Sequence, residues 1–293
     1  MAAAFKRVAI LGTGLIGGSF GLALRKLRPR PRVVGCDKPE VLARARVRGA
    51  IDIAEPDLAR AVHGADLVFV ALPVGAVLEH LPEIASAAAP GALVTDTASS
   101  KRAICEQAAA CFTGRALFLG GHPMAGKEIS GISAAEPGLF DGARYALIRS
   151  AADSPAENRE TDPRVGAFVA LLGKLGAQPL WLDAASHDRA AAFVSHLPQL
   201  LSVALAGVVR EQTDQTGLPL ILAGRGLRES LRLAGSPYAL WRDIVLTNSD
   251  NIDRALDRMS QAIENLRLLL RRRELEDEFL AAGELYKILR DSQ

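Results

Sequence analysis

A short apolar run that leads directly into closely spaced glycines restricts the fold of this chain more than any other feature. The run VAIL (residues 8–11) is followed by GTGLIG (residues 12–17) and then by the helical pattern GSFGLALRKL. Gly12 permits a tight turn, Gly14 lets a ligand approach the backbone, and Gly17 lets the helix pack closely on the strand. The sequence therefore predicts a strand–turn–helix unit whose helix N-terminus faces an anionic group.

Strand-like and helix-like patterns alternate through residues 1–183. The central apolar runs are hydrophobic on both faces, which is typical of parallel strands covered by helices on each side. The alternation predicts an α/β fold with a doubly wound, mostly parallel sheet of the Rossmann type. The predicted strands are RVAILG (7–12), RVVGCD (32–37), DLVFVALP (66–73), ALVTDT (92–97), ALFLGG (116–121), RYALIR (144–149) and QPLWLD (178–183).

The rest of the chain carries only helical patterns, so an all-helical C-terminal domain is expected. We expect a dinucleotide-binding domain over residues 1–183 and a helical substrate-binding and dimerisation domain over residues 184–293. The stretch 190–209 contains no Asp, Glu, Lys or Arg. Its Ser195, His196 and other polar residues favour a helix buried in protein over a membrane span. So much apolar surface predicts a homodimer that forms through this domain.

The composition excludes several classes of protein. The 35 basic and 33 acidic residues are interspersed and give a net charge of +2, which argues against a nucleic-acid partner. The 3 cysteines form no CxxC pair, which favours a reducing compartment. The apolar run near the start of the chain is shorter than the core of a signal peptide. We therefore expect a cytoplasmic protein with no membrane partner.

The nature of the dinucleotide is indicated by Asp37, which ends the second predicted strand. Its carboxylate can accept hydrogen bonds from ribose hydroxyls and would repel a 2′-phosphate, so NAD is favoured, while the neighbouring Lys38 leaves NADP open. A glycine turn beside a surface aspartate is the alternative interpretation. The cofactor contacts are expected from the glycine motif and two strand ends: Gly12, Gly14, Leu15, Ile16, Gly17, Asp37 and Pro73.

Three polar segments follow predicted strands at the edge where a doubly wound sheet binds ligands. They are LPVG (72–75), TDTASSK (95–101) and GGHPMAGKE (120–128). His122 in the last segment could assist a substrate hydroxyl during hydride transfer, because a neutral imidazole has a pKa near operating pH. A histidine that merely caps a loop is the alternative at this point.

Several motifs together resemble the prephenate/arogenate dehydrogenase (TyrA) family. They cover most of residues 5–250 and include GLIGGS, DTASSK, GHPMAGKEISG, SHLPQ and LRESLRLAGSPYALWRDI. The resemblance implies oxidative decarboxylation of a cyclohexadienyl substrate in tyrosine biosynthesis, with hydride passing from C4 to NAD(P). It also implies that His122 is the catalytic histidine beside the C4 hydroxyl, and that Ser99 contacts this hydroxyl and orients the histidine.

The resemblance further assigns the substrate-binding residues. Arg232 matches the arginine that binds a substrate carboxylate, although Leu231 stands where the family often has threonine. Glu128 and Glu229 match acidic positions that pair with this arginine. The remaining substrate contacts implied by the family pattern are His196 and His187, and Trp241 is expected in the wall of the pocket. A core histidine is the alternative for His196, and a purely structural role is the alternative for Trp241.

Three other interpretations compete with this one. A metal site built from His122, His187, Asp188 and His196 lacks a ligand spacing such as HExxH. Another hydroxyacid dehydrogenase would need a lysine base in the second domain, but no lysine occurs between Lys174 and Lys287. A dinucleotide-sensing protein without activity would not need the catalytic motifs. The preference between prephenate and arogenate and the response to tyrosine stay open.

Overall fold

The computed structural model describes residues 5–114, 116–127, 129–149, 159–213 and 216–291. Eight strands form one sheet in the order β3-β2-β1-β4-β5-β6-β7-β8. All neighbouring pairs are parallel except β6 and β7, so the predicted doubly wound, mostly parallel sheet is confirmed. The strands are β1 (Arg7–Leu11), β2 (Arg32–Cys36), β3 (Ile53–Ala54), β4 (Leu67–Val70), β5 (Leu93–Asp96), β6 (Leu117–Pro123), β7 (Arg144–Arg149) and β8 (Gln178–Asp183).

Helices cover both faces of this sheet. Six of them lie before the end of β8: α1 (Leu15–Leu24), α2 (Pro39–Val47), α3 (Leu58–Val62), α4 (Val74–Ala87), α5 (Arg102–Cys111) and α6 (Pro163–Lys174). Residues alternate between the two faces along each strand, as in β4, where Leu67 and Phe69 join one core and Val68 and Val70 join the other. The ring of Phe20 on α1 stacks on Phe69 with a centroid distance of 3.8 Å, which fixes the first helix against the sheet.

The chain after Asp183 is helical throughout its described part, as the sequence predicts. The helices are α7 (Ala184–Ala191), a π-helical turn (Ala192–His196), α8 (Leu197–Glu211), α9 (Leu218–Ile221), α10 (Arg225–Ser230), α11 (Tyr238–Thr247), α12 (Ser249–Arg272) and α13 (Glu276–Asp291). Their own buried core is small and consists of Ala192, Leu197, Ile252 and Ala255.

The helical region docks on the α4 side of the sheet through α11. Ile244 is buried within the apolar cluster on the α4 face of the sheet, and Trp241 packs against the same cluster. Asp243 accepts a hydrogen bond from the backbone N–H of Gly75, at the start of α4, over 3.2 Å. These contacts place the helical region directly above the polar segments that follow the strands.

The segment Ala184–Glu211 is one continuous helical stretch of 28 residues. By length and composition alone it could cross a membrane, since its mean hydropathy is 1.7 and 28% of its most apolar window is buried. The stretch also carries His187, Asp188 and His196, which are at most 3% exposed and hydrogen-bonded to other parts of the protein. Charged and polar groups paired in this way are typical of a helix packed inside a protein.

Candidate active site

A buried ion pair joins the ends of β5 and β6. Lys101 and Asp96 are both fully buried, and the Lys101 ammonium donates to the Asp96 carboxylate and, over 2.8 Å, to the carbonyl of Gly121. The other Asp96 oxygen accepts from the Gly121 N–H at 3.1 Å. A side chain on Gly121 would collide with the backbone of Asp96, because a Cβ there would lie 2.7 Å from its carbonyl oxygen. The DTASSK and GGHP segments are therefore held together beneath His122.

His122 is hydrogen-bonded to a second histidine from α7. Its Nδ1 lies 2.9 Å from Nε2 of His187, and the Nδ1 of His187 lies 2.8 Å from Oδ1 of Asp188. His187 and Asp188 are almost completely buried, whereas His122 lies at the end of β6 and is only half-buried. The three side chains form a continuous chain of hydrogen bonds that ends at the ring of His122.

Asp188 is anchored by the first residues of α5. Its two carboxylate oxygens accept from the backbone N–H groups of Lys101 at 2.7 Å and Arg102 at 2.9 Å. Burial raises the pKa of Asp188, but the hydrogen bonds from His187, Arg102 and Lys101 outweigh it and hold the pKa below its ordinary value. Asp188 is therefore an ionised carboxylate that can only accept hydrogen bonds.

The surroundings of His122 favour its neutral form. Desolvation by the surrounding protein lowers its pKa well below 6.5, and the nearby His187, Lys101 and His196 lower it further. A neutral imidazole has one nitrogen that can accept a hydrogen bond. His122 is thus suited to accept the proton of a substrate hydroxyl near neutral pH.

His196 belongs to a second polar cluster, next to the hydrogen-bonded series of His122, His187 and Asp188. Its Nδ1 lies 3.2 Å from the amide nitrogen of Asn248, which also donates to the carbonyl of Asp188 over 2.8 Å. Desolvation lowers the pKa of His196 to about 4, so the ring is neutral at pH 7. The Nε2 of His196 and the Nε1 of Trp241 are buried without a hydrogen-bond partner among the described residues. A polar ligand would relieve this cost at both nitrogens.

The residues expected at the cofactor fit a dinucleotide. Gly14 caps the N-terminus of α1, and a Cβ added to it would meet nothing within 4 Å, which leaves room for a phosphate at the helix end. Gly12 has a φ of 86° and donates its N–H to the carbonyl of Cys36 at 2.8 Å. Asp37 lies beside this turn and accepts from the N–H of Thr13 at 2.7 Å. Leu15 and Ile16 form the first turn of α1, and Pro73 caps α4.

Ser99, Arg232 and Glu229 are not among the three side chains of the hydrogen-bonded series that ends at His122. Ser99 is half-buried in the connection between β5 and α5. Arg232 is exposed, just after α10, and Glu229 pairs with Arg225 over 2.6 Å. Glu128 lies outside the described residues. The predicted pairing of Arg232 with the two acidic residues stays a prediction.

Sequence reasoning missed two residues that organise the site. Lys101 ends the segment TDTASSK, but the sequence alone assigns it no role. Asn248 carried no recognisable motif. Asp188 was weighed only as a metal ligand, and its adjacency to His187 was the signal for a hydrogen-bonded pair.

Comparison with known proteins decides the family. Models of the nucleotide-binding domain and of the dimerization domain of prephenate dehydrogenase match residues 20–161 and 183–289. A prephenate dehydrogenase from Lactococcus lactis subsp. cremoris is 32% identical over 271 residues, which cover 92% of this chain and 72% of the relative. The chain belongs to the prephenate dehydrogenase family. The family predicted from the motifs is confirmed.

Solved structures of this family share the whole architecture. Prephenate dehydrogenase from A. aeolicus in complex with hydroxyphenyl propionate and NAD+ has a TM-score of 0.84, 26% identity and coverage of 97% of both chains. Synechocystis arogenate dehydrogenase has a TM-score of 0.77 and 28% identity, and the match covers 98% of this chain and all of the other. Members that act on prephenate and on arogenate thus have the same fold.

Proposed function

We propose that this protein oxidises prephenate, arogenate or both with NAD, giving 4-hydroxyphenylpyruvate or tyrosine. The hydride on C4 passes to the nicotinamide, and the ring carboxylate leaves as carbon dioxide. The electron pair of the broken C–C bond makes the ring aromatic, and the hydroxyl keeps its proton in the phenol product. One hydride leaves for each carbon dioxide, so no further oxidant is needed. The observation that carries this proposal is the neutral His122 at the ligand-binding edge of a dinucleotide fold.

His122 is proposed to accept a hydrogen bond from the C4 hydroxyl. As hydride leaves, positive charge develops at C4 and on its oxygen, and a positioned acceptor stabilises this charge. The proton is shared with His122 at this stage and returns to the oxygen when the ring becomes aromatic. Ser99, in the adjacent strand-end segment, is proposed to orient the same hydroxyl.

The substrate carboxylates and side chain are proposed to contact the helical region. Arg232 supplies a planar guanidinium suited to bidentate binding of a carboxylate. The ring N–H groups of His196 and Trp241, which have no hydrogen-bond partner in the described part of the chain, are suited to donate to substrate oxygens. Glu128 is retained in this proposal on the family resemblance alone.

NAD is the cofactor of this reaction, and Asp37 supports its preference over NADP. Its two oxygens already accept from the backbone N–H groups of Thr13 and Lys38, at 2.7 and 2.8 Å, which fixes the carboxylate in place. The remaining lone pairs are available for ribose hydroxyls. A 2′-phosphate at the same place would be repelled.

We further propose that the protein is a cytoplasmic homodimer formed through the C-terminal helices. The match to a family dimerization domain supports this. Large apolar side chains are exposed on these helices: Val194, Val203, Val208, Leu266, Leu270, Phe279, Leu285, Tyr286 and Ile288. Pairing with a second copy would remove such surface from water. A monomer independent of concentration in analytical ultracentrifugation would refute the dimer.

The function is tested by steady-state assays of NAD and NADP reduction with prephenate and with arogenate, accompanied by identification of the aromatic product. We expect turnover of at least one substrate, with NAD preferred. Failure to turn over either substrate with either cofactor would refute the proposed function. Transfer of deuterium from a substrate deuterated at C4 to the reduced nicotinamide would confirm the hydride transfer.

A further inference from the structure

We infer that His187 and Asp188 act as a positioning pair that fixes the tautomer of His122, leaving its Nε2 free to accept the substrate proton. This inference rests on the proposed function for its catalytic meaning, although the tautomer itself is a property of the protein alone. The family resemblance implies that His187 contacts substrate directly. Both of its ring nitrogens, however, already have protein partners, at 2.9 Å on His122 and 2.8 Å on Asp188.

The direction of the hydrogen bonds follows from Asp188. Its ionised carboxylate receives two backbone N–H groups from the start of α5 and has no proton to give. The Nδ1 of His187, 2.8 Å away, must therefore carry the proton of that bond. With this single N–H donated to Asp188, His187 has a bare Nε2, which can only accept.

The same reasoning extends to the next ring. The bare Nε2 of His187 lies 2.9 Å from Nδ1 of His122, so the proton of this bond belongs to His122. A neutral imidazole carries one N–H, and His122 donates it to His187. The Nε2 of His122 is consequently the bare nitrogen. The opposite tautomer would present an N–H to the substrate hydroxyl and could not accept its proton.

Asp188 also acts on the charge that develops during the reaction. When His122 shares the hydroxyl proton it becomes partly cationic, and the carboxylate stabilises this charge through the intervening ring. The arrangement resembles the Asp–His pair of serine hydrolases, in which a carboxylate orients a catalytic histidine, with one additional imidazole between the two. The charged and titratable groups that surround the histidine pair are Asp96, Lys101, Arg102, Asp188 and His196, with Asp250 paired to Arg102.

Asp188→Asn tests the positioning role while preserving shape. The oxygen that faces His187 also accepts the Lys101 N–H. An amide nitrogen in its place gives up that bond but can donate to His187, which would reverse both rings and put the proton on Nε2 of His122. We expect kcat to fall about 10²- to 10⁴-fold, by analogy with the corresponding change in a serine protease. The KM values for NAD and substrate should change less than about threefold. The loss of a negative charge lowers the pKa of His122, so the acidic limb of the kcat–pH profile should move to lower pH, which damage to the fold would not cause.

A direct readout comes from nitrogen-15 NMR of histidine-labelled protein, because the chain has only 5 histidines. We expect wild-type His122 to carry its proton on Nδ1 and to have a bare Nε2. His80→Gln is the matched control, since His80 also faces a carboxylate, Glu83, at 3.5 Å, but lies remote from the site. This variant should leave kcat and the His122 signals unchanged.

Two results would overturn the inference. One is a wild-type His122 that carries its proton on Nε2. The other is a folded Asp188→Asn protein that keeps both the wild-type tautomer and a kcat within about threefold. If Asp188→Asn does not fold, His187→Phe must lower kcat at least about 10²-fold, and a smaller loss refutes the pair. The NMR result holds even if neither substrate turns over, so failure of the proposed function can be distinguished from failure of this inference.

Discussion

Asn248 donates a hydrogen bond to the backbone carbonyl of Asp188 over 2.8 Å, and so joins the α11–α12 junction to α7, the helix that carries His187 and Asp188. The same amide lies 3.2 Å from His196 and is completely buried. Asn251 donates to its oxygen at 2.8 Å, which fixes the orientation of the amide. The side chain of Asn248 thus connects the His187–Asp188 pair and His196 to the start of α12.

Replacing Asn248 with alanine should therefore weaken both stability and activity. The change leaves the Nδ1 of His196 and the side-chain amide of Asn251 without their hydrogen-bond partner, and each buried unsatisfied group costs about 1–3 kcal/mol. We expect the free energy of unfolding to fall by about 2–4 kcal/mol in urea titrations. Asn265→Ala is the control, because this asparagine is exposed and should change the same quantity by less than about 0.5 kcal/mol. Equal losses in the two variants would contradict the bridging role.

The low pKa of His196 makes stability depend on pH in a defined direction. Its pKa is about 4 in the folded protein, and burial is the main cause. Between about pH 6.5 and pH 4 the unfolded chain binds a proton that the native state does not, so stability is lost as the pH falls. Lowering the pH from 7.5 to 5 should therefore reduce the free energy of unfolding by about 2 kcal/mol through this histidine.

The measurement is the slope of unfolding free energy against pH in the wild type and in His196→Phe. The variant should have the shallower slope over this range, whatever its absolute stability. Identical slopes would show that His196 keeps an ordinary pKa in the folded state.

Asp37→Ser should relax the choice of cofactor. The variant keeps a short polar side chain beside Thr13 but removes the charge that repels a 2′-phosphate. We expect kcat/KM for NAD to fall about tenfold and that for NADP to rise, which corresponds to about 1.4 kcal/mol for each factor of ten. Asp52→Asn is the matched control, since Asp52 holds the opposite end of β2 through the N–H of Val33. An unchanged NAD/NADP ratio in Asp37→Ser would contradict the assignment.

Lys101→Met should damage the site through Asp96, the buried carboxylate that it neutralises. Breaking a buried pair by removing one partner typically costs about 3–5 kcal/mol. Loss of the lysine charge also raises the pKa of His122, so the acidic limb of the kcat–pH profile should move to higher pH. Lys127→Met is the control, because it removes an exposed ion pair with Glu136 and should lower the free energy of unfolding by at most about 1 kcal/mol. A shift of the limb to lower pH would contradict the proposed electrostatics.

Much of this fold could be predicted because its strongest signals are local. The glycine turn and the seven longer strands follow from short apolar runs, and the bounds of β7 and β8 agree with the prediction residue for residue. β3 was missed because a strand of only 2 residues has no periodicity to detect. The π-helical turn at Ala192–His196 was also missed, since the sequence around it reads as one regular apolar helix.

The candidate site was only partly predictable for a different reason. His122 and Ser99 belong to recognisable segments at strand ends. The contact between Asp188 and Lys101 joins residues 87 positions apart, and that between Asn248 and Asp188 joins residues 60 positions apart. Such pairings depend on how the helical region docks on the sheet, which no local pattern encodes. The family resemblance supplied roles for single residues but not the hydrogen bonds between them.

The most direct test of the central claim is the kcat of His122→Asn for NADH formation from prephenate and arogenate. Asparagine occupies a similar volume but cannot take up the hydroxyl proton, so kcat should fall about 10²- to 10⁴-fold while NAD still binds. Wild-type turnover of at least one substrate together with this loss is the predicted result. A variant that retains the wild-type kcat would contradict the role of His122 in catalysis.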